Sequence, residues 1–249
     1  PEFAFLPRKF KIAVTGSPND RAVTRAHDIG LRMVRGENDE PGYEVIVGGG
    51  LGRTPMEGKV VREFLPKADL LPYVEAILRV YNLRGRRDNK YKARIKILVK
   101  ALTPEVFAEK VAAEWAHTKD GPATLTQQEL DRVAGHFSAP AYEQFSGDDA
   151  DYLAKREAEK GFNNWALRNV HAHKVPGYAA VPLSLKPTAV APGDADDKQL
   201  DAIADLADQF SFGELRVTHQ QNLVLADVRQ SDLYALWQAC RKHGFATPN

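Results

Sequence analysis

The single cysteine, Cys240, restricts what this chain can become more than any other feature of the sequence. One thiol forms no internal disulfide and provides no CxxC zinc site. It also leaves an iron–sulfur cluster without the four thiolates that such clusters use. Because the chain has no disulfide, CxxC zinc site or iron–sulfur cluster of its own, its folded state must be stabilised by hydrophobic cores. Its length of 249 residues predicts two domains.

Charge and hydropathy narrow the class of protein further. Lys+Arg 34 against Asp+Glu 33 leave a net charge of +1, which disfavours a protein that coats a polyanion. No apolar run approaches the roughly 18 residues needed to cross a bilayer, and the first residues do not resemble a signal peptide. We therefore expect a soluble, cytoplasmic protein without a membrane partner. The start on Pro1 instead of Met leads us to expect a piece of a longer protein.

The order of secondary structure predicts two different α+β units. In the first, β-forming runs predict strands at residues 10–14, 29–34 and 43–47. Amphipathic spacing predicts a helix over residues 67–84, and Thr103-Pro104-Glu105 predicts the start of another that runs to about Trp115. The second unit is predicted as a strand, a helix, a strand pair and a helix, at residues 178–185, 198–210, 215–228 and 231–243. This β-α-β-β-α order is typical of a ferredoxin-like half-domain with one open sheet edge. We expect domains at residues 1–135 and 161–249, joined by a linker at 136–160.

A glycine cluster follows the strand that is predicted to end at residue 47. Its spacing does not fit a dinucleotide motif, because Arg53 stands where the third glycine belongs. A Walker motif fails as well, because Val60 stands where Ser or Thr is required. Two interpretations stay open for the cluster: a turn that approaches a large ligand, and a turn that is purely structural.

Residues 84–100 carry eight cations and one acid, in a chain that is otherwise nearly neutral. Three interpretations fit this basic run. It can be a solvated helix face, a nucleic-acid binding surface, or part of the site of a cofactor with several carboxylates or phosphates. Composition alone does not decide between them.

Lys9 and Lys11 form a more specific pattern. On an extended strand they project to the same side, and two neighbouring ammonium groups are stabilised by an anion between them. The alternative is an edge strand that uses lysine to prevent aggregation. His171 and His173 show the same alternate spacing, but the sequence offers no third ligand nearby, so we predict no metal site. Gln221 and Asn222 interrupt a β-type run and need a turn backbone or a ligand as hydrogen-bond partner.

Four segments, taken in order, resemble the sirohaem-dependent nitrite and sulfite reductases, and most of all the assimilatory sulfite reductase haemoproteins. These segments are LPRKFK at residues 6–11, AHDIG at 26–30, VGGGLGRT at 47–54, and RVT at 216–218 leading to Gln221 and Asn222. The resemblance implies an α+β sirohaem-type domain with a mixed sheet, followed by a ferredoxin-like half-domain. It implies an oxidoreductase that reduces sulfite to sulfide by six electrons, or nitrite to ammonia as the alternative.

The resemblance also implies site residues and partners. Lys9 and Lys11 match two active-site lysines that bind the anionic substrate, and Arg8 matches an arginine that contacts the carboxylates of sirohaem. The remaining cofactor-binding residues implied by the resemblance are Gly48, Gly49, Gly50, Arg87, Arg94, Gln221 and Asn222. Arg25 and His27 stand where many relatives have other residues, so the segment around them has no assigned role.

The resemblance further implies that a four-iron four-sulfur cluster belongs to the full-length protein only, because its cysteines are absent here. The other halves of the parent chain and an electron donor, a flavoprotein or ferredoxin, are the implied partners. We therefore expect the fragment to be inactive by itself.

Overall fold

Four strands in sequence order form the sheet of the first part of the chain. The computed structural model describes residues 2–187 and 189–247, and contacts divide it into two units between Phe137 and Ser138. In the first unit, the sheet consists of β1 (Ile12–Thr15), β2 (Ile29–Arg35), β3 (Pro41–Val47) and β4 (Lys59–Pro66). The β1–β2 pair is parallel and the other pairs are antiparallel, which confirms the expected mixed sheet.

Four α-helices complete the first unit: α1 (Leu70–Arg84), α2 (Ile95–Leu102), α3 (Pro104–Thr118) and α4 (Gln127–Ala134). Short 3₁₀ turns lie at Thr24–Ala26, Lys67–Asp69 and Lys90–Lys92. The core buries Tyr73, Ile77 and Tyr81 of α1 together with apolar residues of the sheet. Thr103 caps α3, since its side chain accepts a hydrogen bond from the N–H of Val106, as the sequence predicts.

The second unit contains an antiparallel sheet with the strand order β5-β6-β8-β7. Its strands are β5 (His171–Ala172), β6 (Tyr178–Leu183), β7 (Leu215–Val217) and β8 (Leu223–Arg229). Its helices are α5 (Ala150–Ala158), α6 (Lys160–Asn169), α7 (Asp197–Phe210) and α8 (Leu233–His243), with a 3₁₀ turn at Gln230–Asp232. The elements from β6 to α8 give the β-α-β-β-α order of the predicted half-domain. The two-residue strand β5 lies along the edge of β6 that the sequence left without a partner.

The core of the second unit joins the helices to one face of this sheet. Phe162, Trp165, Leu236 and Cys240 are buried in it. Nearly all of residues 136–160, which we interpreted as linker, lies in this unit and includes α5 and the first residue of α6. There the hydroxyl of Tyr142 donates a hydrogen bond of 2.6 Å to Asp227 of β8. Within the described ranges, no helix combines the length and the apolar composition that a membrane span needs.

Candidate anion-binding site

The two lysines predicted to bind an anion lie just before the first strand, and not on it. β1 begins at Ile12, so the prediction of a strand from residue 10 was wrong by two residues. The reason is the backbone of Lys11, whose N–H donates to the carboxylate of Asp28 at 2.9 Å instead of to a neighbouring strand. Lys9 and Lys11 are both exposed. Lys9 and Lys11 both lie outside β1, so they do not share a face of that strand.

The irregular segment that carries these lysines, residues 2–11, is held in place by side chains of α1 and the turn after it. The hydroxyl of Tyr81 lies 3.1 Å from the carbonyl oxygen of Arg8 and 2.9 Å from that of Ala93, so its one proton is shared between the two acceptors. Burial raises the pKa of this phenol to about 12. Arg87 donates to the carbonyl oxygen of Phe5 at 2.8 Å. Glu2 forms an ion pair of 2.8 Å with Arg79. A segment without regular secondary structure thus has several fixed points.

The cations of this segment have no anionic partner within the described residues. No described carboxylate lies within ion-pair distance of the side chains of Arg8, Lys9 or Lys11. All three residues are exposed. Three positive charges within four positions repel one another, and an external anion relieves that repulsion. The arrangement is therefore suited to bind a small oxyanion or a carboxylated ligand.

Asp28 lies at the base of this segment and is completely buried. Its carboxylate faces the guanidinium of Arg94, which donates from Nε at 2.8 Å and from Nη2 at 2.6 Å. Its carbonyl oxygen accepts the N–H of Gly48 at 2.9 Å. Asp28 therefore brings together three of the predicted site residues, namely Lys11, Gly48 and Arg94.

The glycine turn after β3 is packed against its own chain. Gly48 has a left-handed backbone with φ of +91°. A methyl group added at Gly49 would lie 2.2 Å from the carbonyl oxygen of Arg25 and 2.5 Å from that of His27. This close backbone contact explains the absence of a side chain at Gly49 without any ligand. The approach of Gly48, Gly49 and Gly50 to a cofactor ring stays a prediction.

Lys96 is a buried cation that organises the loop after the glycine turn. Only 7% of its surface is exposed. Its ammonium group donates to the carbonyl oxygens of Thr54 at 2.6 Å and Leu51 at 3.1 Å. Burial lowers the pKa of Lys96, and the nearby charge of Arg94 lowers it further. The ammonium group is used within the protein and is not offered to a ligand.

The cations of the basic run at residues 84–100 differ in their partners within the protein. Half of its eight cations are occupied within the protein: Arg86 by Asp88, Arg87 by Asn82 and the Phe5 carbonyl, Arg94 by Asp28, and Lys96 by loop carbonyls. The other four, Arg84, Lys90, Lys92 and Lys100, are exposed. This division weakens the nucleic-acid interpretation, which relies on many cations facing one ligand.

Gln221 and Asn222 belong to the second unit and form the turn between β7 and β8. Gln221 has φ of +59°, and its Nε2 donates to the carbonyl oxygen of Pro192 at 3.2 Å. Asn222 is buried, and its backbone pairs with Thr218 to close the hairpin. Its side-chain oxygen accepts the N–H of Leu185 at 3.4 Å. Both amides thus have main-chain partners within the second unit, and their contact with a cofactor stays a prediction.

His171 and His173 were weighed as a metal-binding pair because of their alternate spacing. The described ranges contain no group of three or more His, Cys, Asp or Glu residues arranged to hold a metal ion. His173 instead contacts Asp227, with 3.1 Å between Nε2 and Oδ1.

Comparison with known proteins identifies the family. The family described as "Nitrite and sulphite reductase 4Fe-4S domain" matches residues 1–119. The family described as "Nitrite/Sulfite reductase ferredoxin-like half domain" matches residues 186–243. The chain belongs to the nitrite and sulfite reductase family.

Relatives within this family carry both activities in their names. "Sulfite reductase [ferredoxin] 1" of Mycolicibacterium paratuberculosis is 28% identical over 92% of this chain and 34% of its own length. "Ferredoxin--nitrite reductase, chloroplastic" of Betula pendula is 28% identical over 94% of this chain and 34% of its own length. The solved structure of the NirA protein of Mycobacterium tuberculosis aligns with a TM-score of 0.66 at 25% identity, covering 100% of this chain and 38% of that one. The chain thus spans little more than a third of the length of these family members.

The structure shows the contacts of two residues to which the sequence analysis gave no role, Asp28 and Lys96. Asp28 lies inside the AHDIG segment that carries part of the resemblance, but a single acidic residue gives no sign that its partner is 66 positions away. Lys96 was one of the eight cations of the basic run, and nothing in that run marks the one lysine that is buried. A detectable signal was the apolar pattern of Ile95 and Val99 around it, which indicates a helix with a buried face.

Proposed function

We propose that this chain is the substrate-binding part of a sirohaem-dependent reductase that converts sulfite to sulfide, with nitrite as the alternative substrate. The observation that supports this most is the set of exposed cations without an anionic partner, Arg8, Lys9 and Lys11, on a segment held by buried contacts. Membership in a family whose relatives are sulfite and nitrite reductases supports the reaction class. A fixed group of cations is what a small oxyanion requires.

Sirohaem fits the residues present in this segment. Its carboxylates need cations that are not already paired, and Arg8 meets that condition. Arg94 contributes less, because two of its three nitrogens already donate to Asp28. Arg87 contributes less for the same reason, since it donates to Phe5 and Asn82. When bound, sirohaem supplies an iron that accepts the anion and passes electrons to it.

The proposed role of Lys9 and Lys11 is to neutralise the bound anion and to deliver protons. Reduction of sulfite or nitrite releases oxygen as water, so protons have to reach the oxygens as electrons arrive. An ammonium group near the anion both stabilises its charge and donates a proton. Because the backbone of Lys11 is fixed by Asp28, its side chain starts from a defined position.

An iron–sulfur cluster does not fit this chain. The chain has one cysteine, and Cys240 is buried in the core of the second unit. A four-iron cluster needs four thiolates. We propose that the cluster, the electron donor and the remaining site residues belong to polypeptide outside this sequence, so that the chain alone has no reductase activity.

The proposal is tested by titrating the chain with sirohaem and following the Soret absorbance. We expect saturable binding that Arg8→Ala weakens about tenfold, which is the usual loss for one charge-assisted contact. We expect Lys9→Ala and Lys11→Ala to leave sirohaem binding nearly unchanged but to abolish the spectral response to added sulfite. Lys67→Ala removes another exposed lysine of the same unit and serves as the control.

Each outcome of this titration decides one part of the proposal. Absence of saturable sirohaem binding overturns the cofactor assignment. Lysine variants that respond to sulfite as the Lys67 control does would remove Lys9 and Lys11 from the substrate site. A response to nitrite at lower concentration than to sulfite makes nitrite the substrate.

A further inference from the structure

Asp28 is buried and has no surface to offer to a ligand, but it touches two of the segments that form the candidate site. Its exposed fraction is 0%, and both carboxylate oxygens accept hydrogen bonds from within the protein. We infer that Asp28 is a positioning residue: its side chain fixes Lys11, and its main chain fixes the glycine turn. The functional consequence rests on the function proposed above, whereas the positioning itself does not.

The side chain acts on the lysines through a single backbone bond. Oδ2 of Asp28 accepts the N–H of Lys11 at 2.9 Å, one residue before β1 begins. The carbonyl oxygen of Lys11 also accepts the N–H of Ile29 at 3.1 Å, so the bond to Asp28 holds the N–H side of the Lys11 backbone and the bond to Ile29 holds its carbonyl side. The guanidinium of Arg94 keeps the carboxylate in one orientation, because its two donors form a rigid fork.

The main chain of the same residue acts on the glycine turn. The carbonyl oxygen of Asp28 accepts the N–H of Gly48 at 2.9 Å. The carbonyl oxygens of Arg25 and His27 lie against Gly49, at distances that leave no room for a side chain. The segment from Arg25 to Asp28 therefore aligns the turn through its backbone and the lysine segment through one side chain. This gives a role to the segment that the family resemblance left unassigned.

Because the two actions use different atoms, substitution of the side chain separates them. Asp28→Ala removes the acceptor for the N–H of Lys11 and leaves the carbonyl oxygen that binds Gly48. We expect hydrogen exchange of the Lys11 amide to become at least about tenfold faster, with exchange at Gly48 within about twofold of the unmodified chain. Asp28→Asn keeps one acceptor oxygen and is expected to restore part of the protection at Lys11.

A matched control comes from the preceding loop. The carboxylate of Asp20 accepts the N–H of Thr24 at 2.8 Å and its hydroxyl at 2.6 Å, and makes no hydrogen bond to Lys11 within the described residues. Asp20→Ala removes a comparable carboxylate from the same unit. We expect exchange at Lys11 to stay unchanged in this variant.

A second variant distinguishes loss of positioning from unfolding, because Asp28→Ala leaves Arg94 without its partner. Asp28→Leu combined with Arg94→Met replaces the whole ion pair by apolar side chains, an exchange that proteins often tolerate. We expect this double variant to stay folded and still to lose the protection of the Lys11 amide. Unchanged exchange at Lys11 in the double variant overturns the inference, and so does equal acceleration at Lys11 and Gly48.

The exchange experiment is made on the chain without added sirohaem or sulfite. Failure of sirohaem to bind would therefore remove the proposed function and leave the positioning by Asp28 intact. Conversely, unchanged exchange at Lys11 would remove the positioning role even if sirohaem binds. If both hold, Asp28→Ala is expected to weaken the spectral response to sulfite more than it weakens the binding of sirohaem.

Discussion

In the first unit the buried carboxylate of Asp28 faces a guanidinium, whereas in the second unit the buried carboxylate of Asp227 is held by two other donors, a phenol and an imidazole. Both carboxylates fasten an irregular segment to a sheet. Asp28 fastens residues 2–11 through the N–H of Lys11, and Asp227 fastens the segment before α5 through the hydroxyl of Tyr142.

The two arrangements differ in what happens to the negative charge. Arg94 compensates it directly at 2.6 Å, while the nearest guanidinium to Asp227, that of Arg216, is 3.9 Å away. His173 contacts Asp227 through Nε2, at 3.1 Å from Oδ1, while its Nδ1 accepts the N–H of Val175 at 2.9 Å. The first carboxylate is stabilised mainly by charge, the second mainly by hydrogen bonds. Removal of the positive charge beside the buried carboxylate should therefore lower the free energy of unfolding more in the first unit than in the second.

The largest decrease in the free energy of unfolding is expected for Arg94→Leu, because this substitution leaves the carboxylate of Asp28 buried without a counter-ion. Loss of one partner of a buried ion pair costs about 3–5 kcal/mol. Urea unfolding followed at the amide signals of β2 measures it for the first unit, and those of β6 report on the second. Arg86→Leu is the control, since its pair with Asp88 is exposed and should matter little. Equal stability of the two variants would contradict a special role for the Asp28 pair.

A smaller effect is expected for Tyr142→Phe in the second unit. The substitution removes one hydrogen bond to a buried carboxylate and leaves that of His173, so we expect a loss of about 1.5–3 kcal/mol. The same unfolding experiment, read at the amides of β6, measures it. Tyr234→Phe removes a hydroxyl that donates to Glu159 nearer the surface, and should cost less. If Tyr142→Phe lowers the free energy of unfolding as much as Arg94→Leu does, the two buried carboxylates are not stabilised in different ways.

The smallest effect is expected at alkaline pH, where both units contain a tyrosine with a raised pKa. The hydrogen bond to Asp227 raises the pKa of Tyr142 to about 12, and burial raises that of Tyr81 to about 12. Between pH 10 and these values the folded state holds more protons than the unfolded state, so the free energy of unfolding falls as pH rises. Below pH 10 neither phenol contributes to the slope.

Substitution by phenylalanine assigns this decline to one unit or the other. Tyr81→Phe should reduce the decline in the first unit only, without abolishing it, because burial raises the pKa of Tyr73 as well. Tyr142→Phe should reduce it in the second unit without abolishing it, because the pKa values of Tyr152, Tyr234 and Cys240 are also raised, that of Cys240 to about 12 by burial. Unfolding measured at several pH values on the amides of β2 and β6 checks both. An unchanged slope in the second unit after Tyr142→Phe would mean that its phenol is not held by Asp227 in solution.

The sequence predicted the elements whose signals are local. The helix over residues 67–84, the cap at Thr103 and the β-α-β-β-α order of the second unit depend on spacing and capping, and the structure contains all three. The strand β4 was not predicted, because Lys59, Arg62 and Glu63 interrupt its β-forming residues. Helix α2 was hidden in the same way by the cations around Ile95 and Val99.

The candidate site was predicted from the sequence only where a motif could be compared with a family. Lys9 and Lys11 are exposed, and their binding of an anion stays a prediction. The partners of Arg87 and Arg94 could not be predicted from the sequence, because each contact joins positions far apart in the chain. Spacing within a segment shows which side chains are near one another, but not which buried group takes up a charge.

The buried thiol of Cys240 has a practical consequence for labelling the segment at residues 2–11. With a pKa of about 12 and no exposed surface, it should not react with a maleimide at neutral pH. A cysteine introduced at the exposed position of Lys9 would then be the single reactive thiol, so a spin label or a fluorophore can be attached there without first removing the native one. The probe would report how tightly the anchored segment is held, in the unmodified background and after substitution of Asp28.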